Sequence, residues 1–275
     1  MNQPRAKIAL FLALTIIFSM VVWWPLAAGR PPLLGGQLDA LALMWSPGLA
    51  AIVTRLVTQG NVRGMGWIPK SPPMLGLALI LPLLYAGPVY LIAWNSGLGG
   101  FDPAAWAAPG QAAVAGLAAM VGFGLLTGLV AATGEEIGWR GLLVPELAKR
   151  MNFRALVIVS GLIWAAWHIP VMWLAGYSGQ GTPFAYSLTC FVLMIVALGG
   201  VMAWMTLKTR SFWPAALLHA THNLFVQTVF DSATEARANT AWWTGEFGIG
   251  LVITLWLTLA LLVRFGGRIE GEKRT

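Results

Sequence analysis

The chain has 275 residues, 58% of them hydrophobic and 10% charged, with a mean hydropathy of +0.73. Soluble domains carry roughly 25% charged residues, so there is too little charge here to cover a water-facing surface, and a soluble globular class is excluded. The net charge of +7 comes from residues that punctuate the gaps between apolar runs and form no continuous patch, which argues against nucleic acid as a partner.

Runs of about 20 apolar residues fit a helix across a ~30 Å hydrocarbon core. Eight such spans are predicted, near 8–28, 38–58, 74–95, 111–133, 154–174, 184–207, 211–230 and 247–264. The expectation is an all-α polytopic membrane protein, a bundle of about eight transmembrane helices, with 1–275 forming a single membrane-embedded domain. The first run follows Arg5 and Lys7 and ends near Ala27-Ala28-Gly29. A cleaved signal peptide has an apolar core of about 7–15 residues. This run is longer, so a retained anchor is favoured. The fourth run carries no charge from Gln111 to Gly134 and is expected to continue as a helix beyond the membrane through Arg150. Cys190, the single cysteine, lies in an apolar run and reads as a small buried hydrophobe. No internal repeat is evident, which removes support for an inverted-repeat transporter.

Lys and Arg collect in short cytoplasmic loops. With the N-terminus inside, fifteen of the seventeen fall on the inner side: Arg5, Lys7, Arg55, Arg63, Lys70, Arg140, Lys149, Arg150, Arg154, Lys208, Arg210, Arg264, Arg268, Lys273 and Arg274. Only Arg30 and Arg237 fall outside, together with Asp39, Asp102, Asp231, Glu235 and Glu246. A multi-pass protein of the cell membrane with both termini cytoplasmic is the expectation. Tryptophans near span ends, such as Trp23, Trp24, Trp94, Trp242 and Trp243, fit an interfacial belt.

The polar residues of the apolar runs are few. Glu135 and Glu136 are adjacent at the end of the fourth run, with Arg140 four residues beyond Glu136, the spacing of an ion pair on one helix face. His168 lies in the fifth span, and His219, His222 and Asn223 lie in the seventh. His219 and Asn223, four apart, point the same way. A lone buried histidine is most often a hydrogen-bonded structural residue. Here all three histidines and the only adjacent acidic pair fall where such side chains are costly and usually mark function. A carboxylate with a histidine can activate water as a general base, and a histidine with an asparagine can donate to a developing oxyanion. Glu135, Glu136, His168 and His219 could alternatively supply zinc ligands with one open position, although no His-Glu-x-x-His helix is present.

The order Glu135-Glu136…Arg140, then Trp164…His168, then His219…Asn223, each in a membrane span, resembles the CPBP family. These are the type II CAAX prenyl endopeptidases and their bacterial Abi relatives, which include bacteriocin-processing and immunity-associated members. The resemblance covers 133–225. It implies an intramembrane endopeptidase in which Glu135 is the general base, His168 helps hold and activate the water, and His219 and Asn223 form the oxyanion site. Glu136, Arg140 and Trp164 would be supporting residues, Glu136 by orienting Glu135 or a histidine. The family's second motif often begins with Phe; Trp164 in its place is expected to alter pocket shape more than chemistry. His222 stands outside the pattern and is expected to be structural. The implied partner is a peptide or membrane-protein segment that enters from the cytoplasmic side, because Glu135 sits at the Lys/Arg-rich end of its span. The metal question stays open between zinc, held by Glu135, His168 and His219, and a glutamate–histidine pair alone. A proton-coupled transporter using the same residues as a relay, and a non-catalytic membrane scaffold or immunity protein, are the competing readings.

Overall fold

The computed structural model describes residues 3–31 and 33–267. Arg268, Lys273 and Arg274, counted above on the inner side, lie outside the described residues. The protein is an all-α polytopic membrane protein. Its elements run α1 (Pro4–Ala27), α2 (Gly36–Gln59), α3 (Pro72–Ser96), β1 (Gly99–Phe101), α4 (Ala113–Gly138), α5 (Val144–Ala148), α6 (Phe153–Leu174), α7 (Phe184–Thr209), α8 (Trp213–Asn223), β2 (Thr234–Ala236), α9 (Thr240–Trp243) and α10 (Ile249–Phe265). Among the described residues six helices are long and apolar enough to cross a membrane, with α4 and α5 joined into one 36-residue rod, Ala113–Ala148. The seventh and eighth predicted spans correspond to shorter helices: α8, prolonged by a π-helical stretch Leu224–Phe230, and α10.

Local chemistry sets several of these boundaries. Asn152 caps α6 by accepting the Ala155 N–H at 3.0 Å, satisfying one donor that the first turn leaves orphaned. Gly60 ends α2 in the left-handed conformation at φ 70°, where a side chain would be strained. Pro82 inside α3 removes the amide that would bond the Ala78 carbonyl, and the Thr221 hydroxyl of α8 donates to that carbonyl at 2.9 Å. The gap in one helix thereby becomes a tie to the next.

Packing of α2 against α4 depends on glycines. A Cβ on Gly138 would lie 2.6 Å from the Pro47 Cβ, and one on Gly134 would lie 2.7 Å from the Trp45 ring. The chain therefore approaches there as closely as bare backbone allows. Trp45 also donates its indole N–H to the Val130 carbonyl at 3.1 Å. After Gly138 the rod widens into a π-helical stretch, Trp139–Leu143, in which the Val144 amide reaches back to the Trp139 carbonyl. Such single wide turns are frequent at functional sites. Beyond it the Glu146 carboxylate is buried among Lys149 at 2.7 Å, Arg55 at 3.7 Å and Lys7 at 3.8 Å, joining α5 to α1 and α2.

The antiparallel ladder of β1 with β2 pairs Gly100 with Glu235 and ties the α3–α4 connection to the segment after α8. Three-residue strands carry no periodicity signal, so the sequence gives no warning of them.

Candidate active site

The acidic pair divides its tasks. Glu135 is 2% exposed, and its Oε2 accepts the indole N–H of Trp164 at 2.8 Å and of Trp139 at 3.1 Å. Glu136 is fully buried; its Oε1 accepts from Arg140 Nη1 at 2.9 Å and stands 2.9 Å from His219 Nδ1. The expected i,i+4 ion pair is therefore present, with His219 as a third member. The Arg140 guanidinium also stacks over the Trp164 ring, 4.2 Å from its centre. A planar cation on an indole face combines dispersion with attraction to the ring quadrupole.

The two other motifs converge on the same place. Glu135, Trp164, His168, His219 and Asn223 all line one cavity of about 250 Å³. His168 Nδ1 lies 2.9 Å from the Trp164 carbonyl. A carbonyl only accepts, so the proton sits on Nδ1 and the neutral ring presents Nε2 as an acceptor. The remaining wall is apolar, including Leu43, Trp167, Phe191 and Ile195.

Two expectations are corrected. Trp164 does more than shape the pocket, because its N–H holds the Glu135 carboxylate and a phenylalanine there could not donate. The cavity also does not open at the Lys/Arg-rich end. Glu136, Arg140, Leu142 and Leu143 fill that end and are buried. The exposed lining residues, Ala40 and Gln227, stand near the start of α2 and beyond the end of α8, with Tyr177 and Glu246 from loops on the same side. The physical reason is the length of the rod. The helix continues past Glu135 to Ala148, placing Lys149 and Arg150 roughly 20 Å farther along the axis at 1.5 Å per residue.

Sequence reasoning missed part of this cavity. His222, expected to be structural, lies in its wall, with Nδ1 2.7 Å from the Tyr85 hydroxyl and Nε2 3.1 Å from Glu246 Oε1. The Tyr177 hydroxyl donates to the other Glu246 oxygen. Burial works to raise the Glu246 pKa, but the bonds from His222 and Tyr177 outweigh it and hold the carboxyl below its ordinary value. Nothing in the spacing of Glu246, one of five acids assigned to outer loops, points inward. Trp139 carried a usable signal, since it lies four residues after Glu135 on the same helix face.

Among the described residues no group of three or more His, Cys, Asp or Glu side chains is arranged to hold a metal ion. The zinc set considered from sequence, Glu135, His168 and His219 with Glu136, does not gather as ligands; Glu136 is turned to Arg140 and is absent from the cavity wall.

Residues 117–225 match the family model of the Rce1-like proteins, described as type II CAAX prenyl endopeptidase Rce1-like. Over this segment the chain is similar to the Rce1-like family. CAAX prenyl protease 2 of Methanococcus maripaludis is 35% identical over 100 residues, which cover 35% of this chain and 36% of the relative. The chain thus spans about a third of the length of the curated relative it matches. The Rce1-like segment begins within α4 and ends two residues past Asn223, so it contains Glu135, Trp164, His168 and His219. Ala40, Leu43, Gln227 and Glu246, which complete the cavity, lie outside it.

Proposed function

We propose that the protein is an intramembrane endopeptidase that hydrolyses a peptide bond with water activated by Glu135. The observation that supports this is the meeting of Glu135, His168, His219 and Asn223, from three separate helices, on one partly open cavity. Two indole N–H groups occupy Glu135 Oε2. This leaves Oε1 to take a proton from a water that also donates to His168 Nε2. The hydroxide adds to the scissile carbonyl carbon, and the oxyanion accepts bonds from the Asn223 amide and His219 Nε2–H. Donation from that nitrogen needs His219 doubly protonated, with Glu136 as its counter-ion. Protonated Glu135 then returns its proton to the leaving amine as the C–N bond breaks. Preorganised donors aimed at a developing oxyanion typically contribute 10²–10³-fold, and a placed general base about 10²–10⁴-fold.

The substrate is a peptide segment presenting an apolar group to the aromatic wall. The relative's name, CAAX prenyl protease 2, supports a lipid-modified C-terminus as one such group. The Lys/Arg distribution supports a cell-membrane protein with cytoplasmic termini. The cavity mouth then faces away from the cytoplasm, and we place substrate access on that outer face in place of the cytoplasmic side expected from sequence. Cysteines introduced at Gln227 and at Lys149 should label from opposite faces, with Gln227 reached from outside.

The decisive test is Glu135→Gln in purified full-length protein with a quenched reporter peptide. Turnover should fall by roughly 10³-fold while peptide binding is kept. Unchanged cleavage would remove Glu135 from the chemistry. A proton-coupled transporter would lose flux in the same variant without ever cleaving peptide, and a scaffold would lose neither.

A further inference from the structure

Far from the cavity just described, at the Lys/Arg-rich end, α6 and α10 both pack on α7 where it has no side chain. A Cβ on Gly200 would lie 2.9 Å from Val157 of α6 and 2.8 Å from Leu259 of α10. The two helices diverge beyond that contact and leave a groove of about 580 Å³ lined by Arg154, Trp256, Leu259, Ala260, Val263 and Arg264. Arg154 lies in the first turn of α6 and Arg264 in the last turn of α10, so both guanidinium groups stand at the Lys/Arg-rich end of the groove. Among the described residues no carboxylate lines it. Lys208 adds a third cation beside it, its Nζ 3.0 Å from where a Cβ on Gly267 at the rim would stand.

The rest of the groove is apolar and faces the bilayer. Trp256 spends its indole N–H on the Leu193 carbonyl at 3.1 Å, so its ring offers only carbon surface. Ala260 and Val263 are exposed along the same side of α10. We infer that this groove binds one anionic phospholipid, with its phosphate between Arg154 and Arg264 and an acyl chain along Trp256, Ala260 and Val263. Guanidinium matches a phosphate's paired oxygens, and basic pockets between spans at the inner interface hold acidic head groups. A free phosphate ion would satisfy the arginines but leave the apolar wall uncovered. The proposal stands apart from the peptidase reading, since none of these residues borders the Glu135 cavity.

Native mass spectrometry of the full-length protein, loaded with equal phosphatidylglycerol and phosphatidylcholine, tests it. The wild type should retain phosphatidylglycerol about tenfold or more over phosphatidylcholine, as expected for two cations near the surface. Arg154→Gln with Arg264→Gln should abolish that preference, and millimolar inorganic phosphate should not displace the lipid. Equal retention of both lipids, or an unchanged preference in the double variant, overturns the proposal. Displacement by phosphate overturns it in favour of a free-anion site. Should the double variant not fold, quenching by brominated lipid decides. Brominated phosphatidylglycerol should quench the wild type more than brominated phosphatidylcholine does, and Trp256→Phe should remove the difference; a difference that survives in that variant refutes the site.

Discussion

The two halves of the Ala113–Ala148 rod solve opposite problems. In the first half Val114, Phe123 and Leu126 are 79%, 72% and 69% exposed, and no charge occurs. In the second, Ala132 and Leu143 are fully buried, as are Glu136, Arg140 and Glu146 to within 3%. The more polar half is thus the more enclosed. Lipid is an adequate neighbour for an apolar helix face and a very poor one for a carboxylate, so the bundle spends its close packing on the half that carries charge. Two glycines show the contrast at single positions. Gly134 and Gly138 admit α2 directly, whereas a Cβ on Gly122 would meet nothing within 4 Å.

That contrast can be broken from the buried side first. Glu136→Gln leaves Arg140 without its counter-ion in a closed setting, and removing one partner of a buried pair costs about 3–5 kcal/mol. Thermal unfolding in detergent should fall accordingly, and Glu136→Gln with Arg140→Met should recover part of the loss. Gly138→Val drives a branched side chain into Pro47, and overpacking of this kind costs roughly 1–3 kcal/mol. The same assay should show it, together with reduced peptide turnover as Glu135 shifts. Trp164→Phe keeps the aromatic face under Arg140 but deletes one donor to Glu135. A hydrogen bond to a charged group contributes about 1.5–3 kcal/mol. Turnover should therefore drop by at least about tenfold, with substrate binding little changed. On the exposed side, Gly122→Ala should raise stability by about 0.5–1 kcal/mol through helix propensity alone. A destabilising result there would mean that Gly122 itself has a protein neighbour.

Much of this was legible in the chain. The eight apolar runs match the helical rods because run length and backbone satisfaction in lipid leave few alternatives. That Glu135, His168, His219 and Asn223 line one cavity follows a signal in the chain, since each is too polar to face lipid. What the sequence does not show is where the cavity opens. Beyond Gly134 the helix is enclosed by α2, α6 and α8, and neighbours are a tertiary property. Glu246 was misplaced for the same reason. A single acid in a loop looks solvated until a histidine and a tyrosine from distant helices are known to face it.

The wide turn at Trp139–Leu143 sets a count. A π stretch holds one residue more than the same length of α-helix, and each residue is worth about 100° of rotation at 3.6 residues per turn. That extra residue is a phase shifter between two machines on one shaft, aiming Glu135 and Glu136 at α6 and α8 while Glu146 turns to Lys7 and Arg55. Loss of a single residue there would heal the ladder into a regular helix and swing one cluster away from its partners. The rod therefore tolerates changes of side chain along its outer half far better than any change of length at this turn.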